Sequence, residues 1–295
     1  MTSSAARLAR VRSRWLFLPA LVLIVPVATL VALAATGGLV SPRAIPPESA
    51  DAVRWALVVA RGLHDVAAAL CVGLLVVSST VLPPESGHPS VILAGVRGRA
   101  VRLAAGAGAV WVLAGVAVLT LTYADVAWTS SFAAVSWDQM TFFVQGFELG
   151  RALALGVVVA AIATTLAAGA TRVTTAALAA VIALAALLPL ALGGHAANAA
   201  RHDYAVDTLA AHLVGVTVWV GGLAALVILR RRIGADLGVV VRRYSRLAGW
   251  CFGVVAMSGV LGAAVRLGGW GDLVSGYGAL LTAKAVALVA LGAAG

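Results

Sequence analysis

The sequence predicts an all-α fold, a polytopic transmembrane helical bundle of about eight spans. Three observations lead there. The chain of 295 residues is 62% hydrophobic and only 11% charged, whereas about a quarter of a soluble domain is charged. Its mean hydropathy is +1.04. Its apolar runs recur at the length a helix needs, roughly 20 residues for about 30 Å of hydrocarbon. Lipid offers backbone groups no partners, so runs of this length are helices.

The runs fall near 15–38, 53–80, 102–122, 149–170, 174–194, 206–229, 246–265 and 277–295. The first follows Arg7, Arg10, Arg12 and Arg14. Its apolar part exceeds the roughly 7–15 residues of a signal-peptide core, so it reads as a retained first helix, the alternative being cleavage near Ala34–Ala35. Gly and Ala inside the runs suit close helix–helix approach. The last run ends without a basic or polar flank, which reads as a chain cut from something longer. No Ser-rich or charged linker interrupts residues 1–295, so a single membrane domain is expected. The only cysteines, Cys71 and Cys251, lie inside predicted spans, which argues against a disulfide framework.

Charge sets the orientation. With the N-terminus cytoplasmic and eight alternating spans, fourteen of the 21 basic residues fall inside, among them Arg97, Arg99, Arg102, Arg172, Arg230, Arg231, Arg232, Arg242, Arg243 and Arg246. Only Glu85 and Asp236 of the 11 acids join them. The positive-inside rule therefore predicts a multi-pass protein with a cytoplasmic N-terminus. The basic pI is an anchoring signal whose partner is the lipid bilayer and its anionic headgroups, not nucleic acid. The outer face is mildly acidic and draws cations.

The longest connection, Tyr123 to Gly150, lies outside. Its aromatics and sparse charges read as an interfacial segment with Trp128 and Trp137 at headgroup level; the alternative is a lid with Asp138 and Met140 as transient metal contacts. A faint internal similarity joins "HDVAAALCVGLL" from His64 to "HLVGVTVWVGGL" from His212. Each has a Gly nine positions after the His, Gly73 and Gly221, and both run from outside to inside. That is the pattern of a parallel repeat, or a coincidence in an Ala/Gly-rich chain.

Five histidines stand out against this apolar background. At about 1.5 Å per residue, His212 lies roughly 9 Å below the outer end of its span and His64 roughly 13 Å below its own. His195 caps the outer end of the fifth span and His202 falls in the short loop beyond. Four histidines therefore share the outer third of the bilayer, while His88 is cytoplasmic and solvated. Each alone reads as interhelical hydrogen-bond glue; together they read as a site, because ionisable groups inside membranes mark pathways. Imidazole suits copper, zinc, iron and nickel. Asp65, Asp203 and Asp207 are placed to balance the ion's charge or to hold a histidine's second nitrogen.

Other polar groups are secondary. Arg61 and Asp65, four residues apart, have the spacing of an ion pair. Lys284 lies about 10 Å below the outer end of the eighth span, where it pairs with an acid or snorkels. Cys71, Cys251 and Met257 are either packing residues or softer steps for Cu(I). The chain has no Walker sequence and no nucleophile constellation, so an enzyme is not expected.

"GGHA" at 193–196, "AHLVGVTVWVGGL" at 211–223, "RRYSRLAG" at 242–249 and "YGALLTAKAVALVALG" at 277–292 resemble the CopD family of copper-resistance membrane proteins. The resemblance covers 190–295 best and extends more loosely to "RGLHDVAAALCVGLL". Its strongest part is His-x6-Trp-Val-Gly-Gly. It implies an inner-membrane protein that carries the copper ion from the outer side toward the cytoplasm, with His195 and His212 in the matching motifs. It also implies extracytoplasmic copper chaperones or cytochrome oxidase assembly factors as partners, and in some members a CtaG-like domain further along the chain. His64 and His202 rest on depth alone. Two other readings stay open. One is a haem-binding electron-transfer protein with His64 and His212 on opposite faces of one iron. The other is a cytochrome oxidase assembly partner.

Overall fold

A computed structural model describes residues 48–83, 91–127, 136–192, 202–266 and 282. The chain divides into two compact units, Met1–Ala52 and Val53–Gly295. Apart from the first residues of α1, all the elements below belong to the second. The all-α expectation holds: among the described residues there are helices and turns and no strand. The helices are α1 (Glu48–Val76), α2 (Val91–Val126), α3 (Trp137–Gly146), α4 (Glu148–Ala168), α5 (Val173–Ala185), α6 (Leu188–Leu192), α7 (His202–Ile233) and α8 (Leu237–Arg266).

Among the described residues, four helical stretches are long and apolar enough to cross a membrane: Ala52–Val81, Ile92–Val126, Glu148–Ala168 and Asp207–Ala263. The last holds both α7 and α8, which turn at Gly234 with φ of 62°, a left-handed conformation that suits glycine. The shorter apolar helix α5 gives way at Ala186–Leu187 to α6, which carries Pro189. The predicted spans 15–38 and 277–295 lie outside the described residues, as do His88, Trp128, His195 and Lys284.

Two boundaries differ from expectation. Helix α2 begins at Val91 rather than near 102 and takes Arg97, Arg99 and Arg102 into the helix. Arg97 is buried there because its Nε–H donates to the Ser78 carbonyl at 2.9 Å and its Nη2 to the Pro83 carbonyl at 3.0 Å. His202 is the first residue of α7 rather than part of a loop, because the helix runs past the apolar window into the polar His-Asp-Tyr step. The side chains of His202 and Asp203 lie outside the described residues.

Side-chain contacts set the packing directions. α1 and α2 are antiparallel, touching at His64–Trp111 and again at Ser78–Arg97. α2 and α4 are antiparallel too, since a Cβ at Gly108 would meet Thr164 and one at Gly115 would meet Val157. α7 and α8 pair from Gly222–Tyr244 to His212–Ser258. The large apolar core joins Ala67 to Val77 of α1 with Trp111 of α2, the alanines of α4 and α5, and residues Val218 to Tyr244 of α7 and α8. A smaller cluster gathers Val53, Leu57 and Ala60 with Val118, Leu121, Ala124 and Leu153. His64 lies on α1 between the two. Outward faces carry Val59, Leu113, Val181, Trp250 and Val260, all exposed, as lipid-facing helix surfaces do.

Candidate metal centre

The structure explains the two matched segments through their glycines. A Cβ on Gly73 would lie 2.0 Å from the Gly221 carbonyl carbon, and one on Gly221 would lie 2.0 Å from the Ala69 carbonyl oxygen. No real Cβ fits there, so α1 and α7 cross backbone to backbone at this pair. The neighbouring Gly222 faces Tyr244, where a Cβ would come within 2.7 Å of the ring. The Tyr244 hydroxyl donates to the Trp219 carbonyl, and the Trp219 ring meets Phe252 edge-on at 5.6 Å. Trp-Val-Gly-Gly is therefore a packing sequence, one glycine admitting α1 and the next admitting the tyrosine of α8.

The crossing fixes where the two histidines stand. The C-terminal end of α1 meets the start of α8, where Arg243 Nη2 donates to the Thr80 carbonyl at 2.8 Å. The start of α8 also packs on the C-terminal half of α7 through Tyr244 and Gly222. The N-terminal halves of α1 and α7 thus share the other side of the crossing. His64 and His212 each stand nine residues above their glycine, about 13 Å along the helix axis.

His64 is held at both ring nitrogens. The Trp111 indole N–H donates to Nε2 at 2.9 Å, and the rings meet edge to face with centroids 6.0 Å apart. Indole is only a donor, so Nε2 carries the lone pair and the proton sits on Nδ1. That N–H donates to Asp65 Oδ1 at 3.0 Å. Trp111 is fully buried. His64 keeps 20% of its side-chain surface and Asp65 keeps 72%, so the carboxylate is the accessible end of the chain Asp65–His64–Trp111. The expected Arg61–Asp65 pair is replaced by this one: the aspartate turns to the adjacent histidine, which the indole has already oriented.

His212 is held differently. Its Nδ1 lies 3.1 Å from Ser258 Oγ, and that hydroxyl donates to the Val255 carbonyl at 3.1 Å. The serine hydroxyl thus ties the imidazole to the backbone of α8. Gly215, one turn on, lets α8 close in, since a Cβ there would meet Val255 at 3.0 Å.

The remaining candidates separate. His195 and His88 lie outside the described residues, and of His202 only the backbone is described. Asp207 is exposed in the second turn of α7. Among the described residues no three His, Cys, Asp or Glu side chains converge as a metal-holding group. Cys71 and Cys251 are buried in the large apolar core and Met257 is exposed, the positions of packing and lipid-facing residues. Between Tyr123 and Gly150, Ser136 caps α3, its Oγ accepting from the Gln139 backbone N–H at 3.3 Å. Phe143 packs on Tyr123, while Trp137, at 87% exposure, and Phe142 face outward. That is the form of an interfacial segment.

Sequence reasoning missed Trp111, Ser258 and the arginine-capped end of α1. The last had a signal in Ser78-Ser79-Thr80 before Pro83-Pro84. Those hydroxyls bond back to the carbonyls of Leu75 and Val76 through a π-helical turn, Val77–Val81. Such turns widen a helix and leave carbonyls for other donors, here Arg97 and Arg243.

These features define a polytopic helical membrane protein with oriented, half-buried imidazoles on its apolar helices. The description Copper resistance protein D-like, N-terminal domain, matches residues 48–202. The description Copper resistance protein D matches residues 238–295. The chain belongs to the CopD family of copper-resistance membrane proteins. His64 and His195 lie within the first match, while the His212 segment lies between the two. Searches of curated proteins and of solved structures gave no match.

Proposed function

We propose that the protein is a copper carrier of the inner membrane, not an enzyme, that takes the ion at the outer face and passes it toward the cytoplasm. His195 and His202 capture copper at the mouth, handed over by an extracytoplasmic copper chaperone, and His64 and His212 hold it deeper. The observation that carries this reading is the matched pair of imidazoles above the Gly73–Gly221 crossing. A membrane chain of a copper-resistance family keeps two half-buried ionisable rings oriented on its apolar helices, where such groups mark ion pathways. Asp65 supports it, since a carboxylate on Nδ1 is the usual partner of a metal-binding histidine.

The test is copper binding and copper-dependent growth in His64→Ala and His212→Ala. Loss of an orienting partner alone weakens metal sites about 10–100-fold, so loss of either ligand should weaken binding at least that much while the protein stays in the membrane. His202→Ala should weaken it partly and His88→Ala not at all. Wild-type copper binding in both deep variants would make these histidines helix glue. Stoichiometric haem with a Soret band lost on replacing either one would make the protein an electron carrier instead. Orientation has its own check. A cysteine introduced at Ala199 should be labelled from outside and one at Gly234 only after permeabilisation, and the reverse pattern would put the histidines on the wrong face for uptake.

A further inference from the structure

The hydrogen bond from Trp111 decides what His64 can do. Copper has two ways onto a neutral imidazole. At Nε2 it needs the lone pair that the Trp111 N–H occupies at 2.9 Å. At Nδ1 it needs the nitrogen that now holds the proton facing Asp65. Freeing Nδ1 moves that proton to Nε2, where it would point at the indole N–H, donor against donor, because indole has nothing to accept with. Both routes therefore require the same bond to break.

We propose that Trp111 is the gate on His64: the indole N–H holds the ring in one tautomer while the site is empty, and copper binds this histidine only as the indole leaves it. The proposal rests on His64 being a copper ligand. Trp111 acts through His64 and is a positioning residue. Trp111 is buried in the apolar core, in a stretch of α2 that packs closely on α4 and on the histidine. Gly108 and Gly115 lie one turn to either side of it on α2, and a Cβ on Gly115 would come within 3.7 Å of His64 Cδ2. The accessible carboxylate of Asp65 offers an arriving cation its first contact with the chain of three.

The gate predicts a gain on mutation, the opposite of what a supporting residue gives. Trp111→Phe keeps an aromatic ring and removes the competing N–H. Its affinity for Cu(I) or Cu(II), measured on the purified full chain by competition with a chromogenic chelator, should be tighter than wild type by about fivefold, the worth of one ordinary hydrogen bond. The second measurement uses the wild type with 15N-labelled indoles. The Trp111 resonance, identified as the one His64→Ala shifts, should move in the same direction when copper is added, so the result stands even where Trp111→Phe fails to accumulate. Unchanged or weaker copper binding in Trp111→Phe, or an indole resonance indifferent to copper, overturns the gate while leaving His64 a ligand. Undiminished copper binding in His64→Ala overturns the carrier reading itself, and the gate with it.

Discussion

α1 and α7 carry the same pattern, a histidine and then a glycine nine residues on, and the structure brings the glycines together while giving the histidines different company. At Gly73 and Gly221 the two segments are interchangeable, each offering bare backbone to the other. At His64 and His212 they are not. One imidazole lies between a carboxylate and a buried indole that takes its lone pair. The other leans on a serine hydroxyl that is itself bonded to the backbone of α8. The difference teaches that the repeated pattern specifies a helix crossing, and that the chemistry of each ring comes from whichever neighbour packs beside it, α2 for one and α8 for the other.

The crossing is where the comparison breaks hardest. Gly73→Ala puts a methyl group inside the Gly221 backbone, so the helices must separate, and overpacking of this kind costs about 3 kcal/mol or more. Gly62 lies on the same helix, and a Cβ there meets nothing within 4 Å. Gly62→Ala should therefore be neutral or stabilise by about 0.5–1 kcal/mol through helix propensity alone. Thermal unfolding of both variants in detergent reads the contrast directly. Equal melting temperatures would mean that α1 and α7 do not meet at these glycines.

The two rings are distinguished next, by changes of opposite sign. Ser258→Ala removes the hydroxyl that orients His212, and such losses weaken metal sites about tenfold or more. Ser258→Thr keeps the hydroxyl and should restore most of the affinity. Trp111→Phe, as argued above, should tighten binding. Chelator competition on the three proteins checks both signs at once. Weakening by Trp111→Phe and Ser258→Ala alike would reduce the indole and the hydroxyl to the same supporting role.

Much of this arrangement was legible in the sequence because it depends on position along a helix. Apolar run length announced the bundle, and rise per residue put His64 and His212 at similar depth. The equal His-to-Gly spacing pointed to a relation between α1 and α7. What stayed hidden depends on register between helices. Trp111 meets His64 across 47 positions and Ser258 meets His212 across 46, and neither spacing leaves a periodic trace. Arg61 and Asp65 have the spacing of a pair, yet the aspartate bonds to the adjacent His64, whose ring is already turned by the indole. Arg97 depressed the hydropathy that marks a span, so α2 was expected to start later than it does. Its burial is compensated by the Ser78 and Pro83 carbonyls, which no local pattern reveals.

The smallest effect tests whether the lower half of α7 belongs to the scaffold alone. Tyr244 is buried, and its hydroxyl donates to the Trp219 carbonyl two residues before Gly221. Tyr244→Phe removes that bond and leaves the ring that Gly222 admits. The Trp219 carbonyl keeps its helical partner, so the loss is one ordinary hydrogen bond, about 1 kcal/mol, or a fall of about 2–4 °C in melting temperature for a domain of this size. Copper affinity should stay within about twofold of wild type, because His212 stands two turns away along α7 and is held by Ser258. A larger change would show that the Trp-Val-Gly-Gly seam transmits packing to the imidazole above it. The motif would then belong to the site as well as to the crossing.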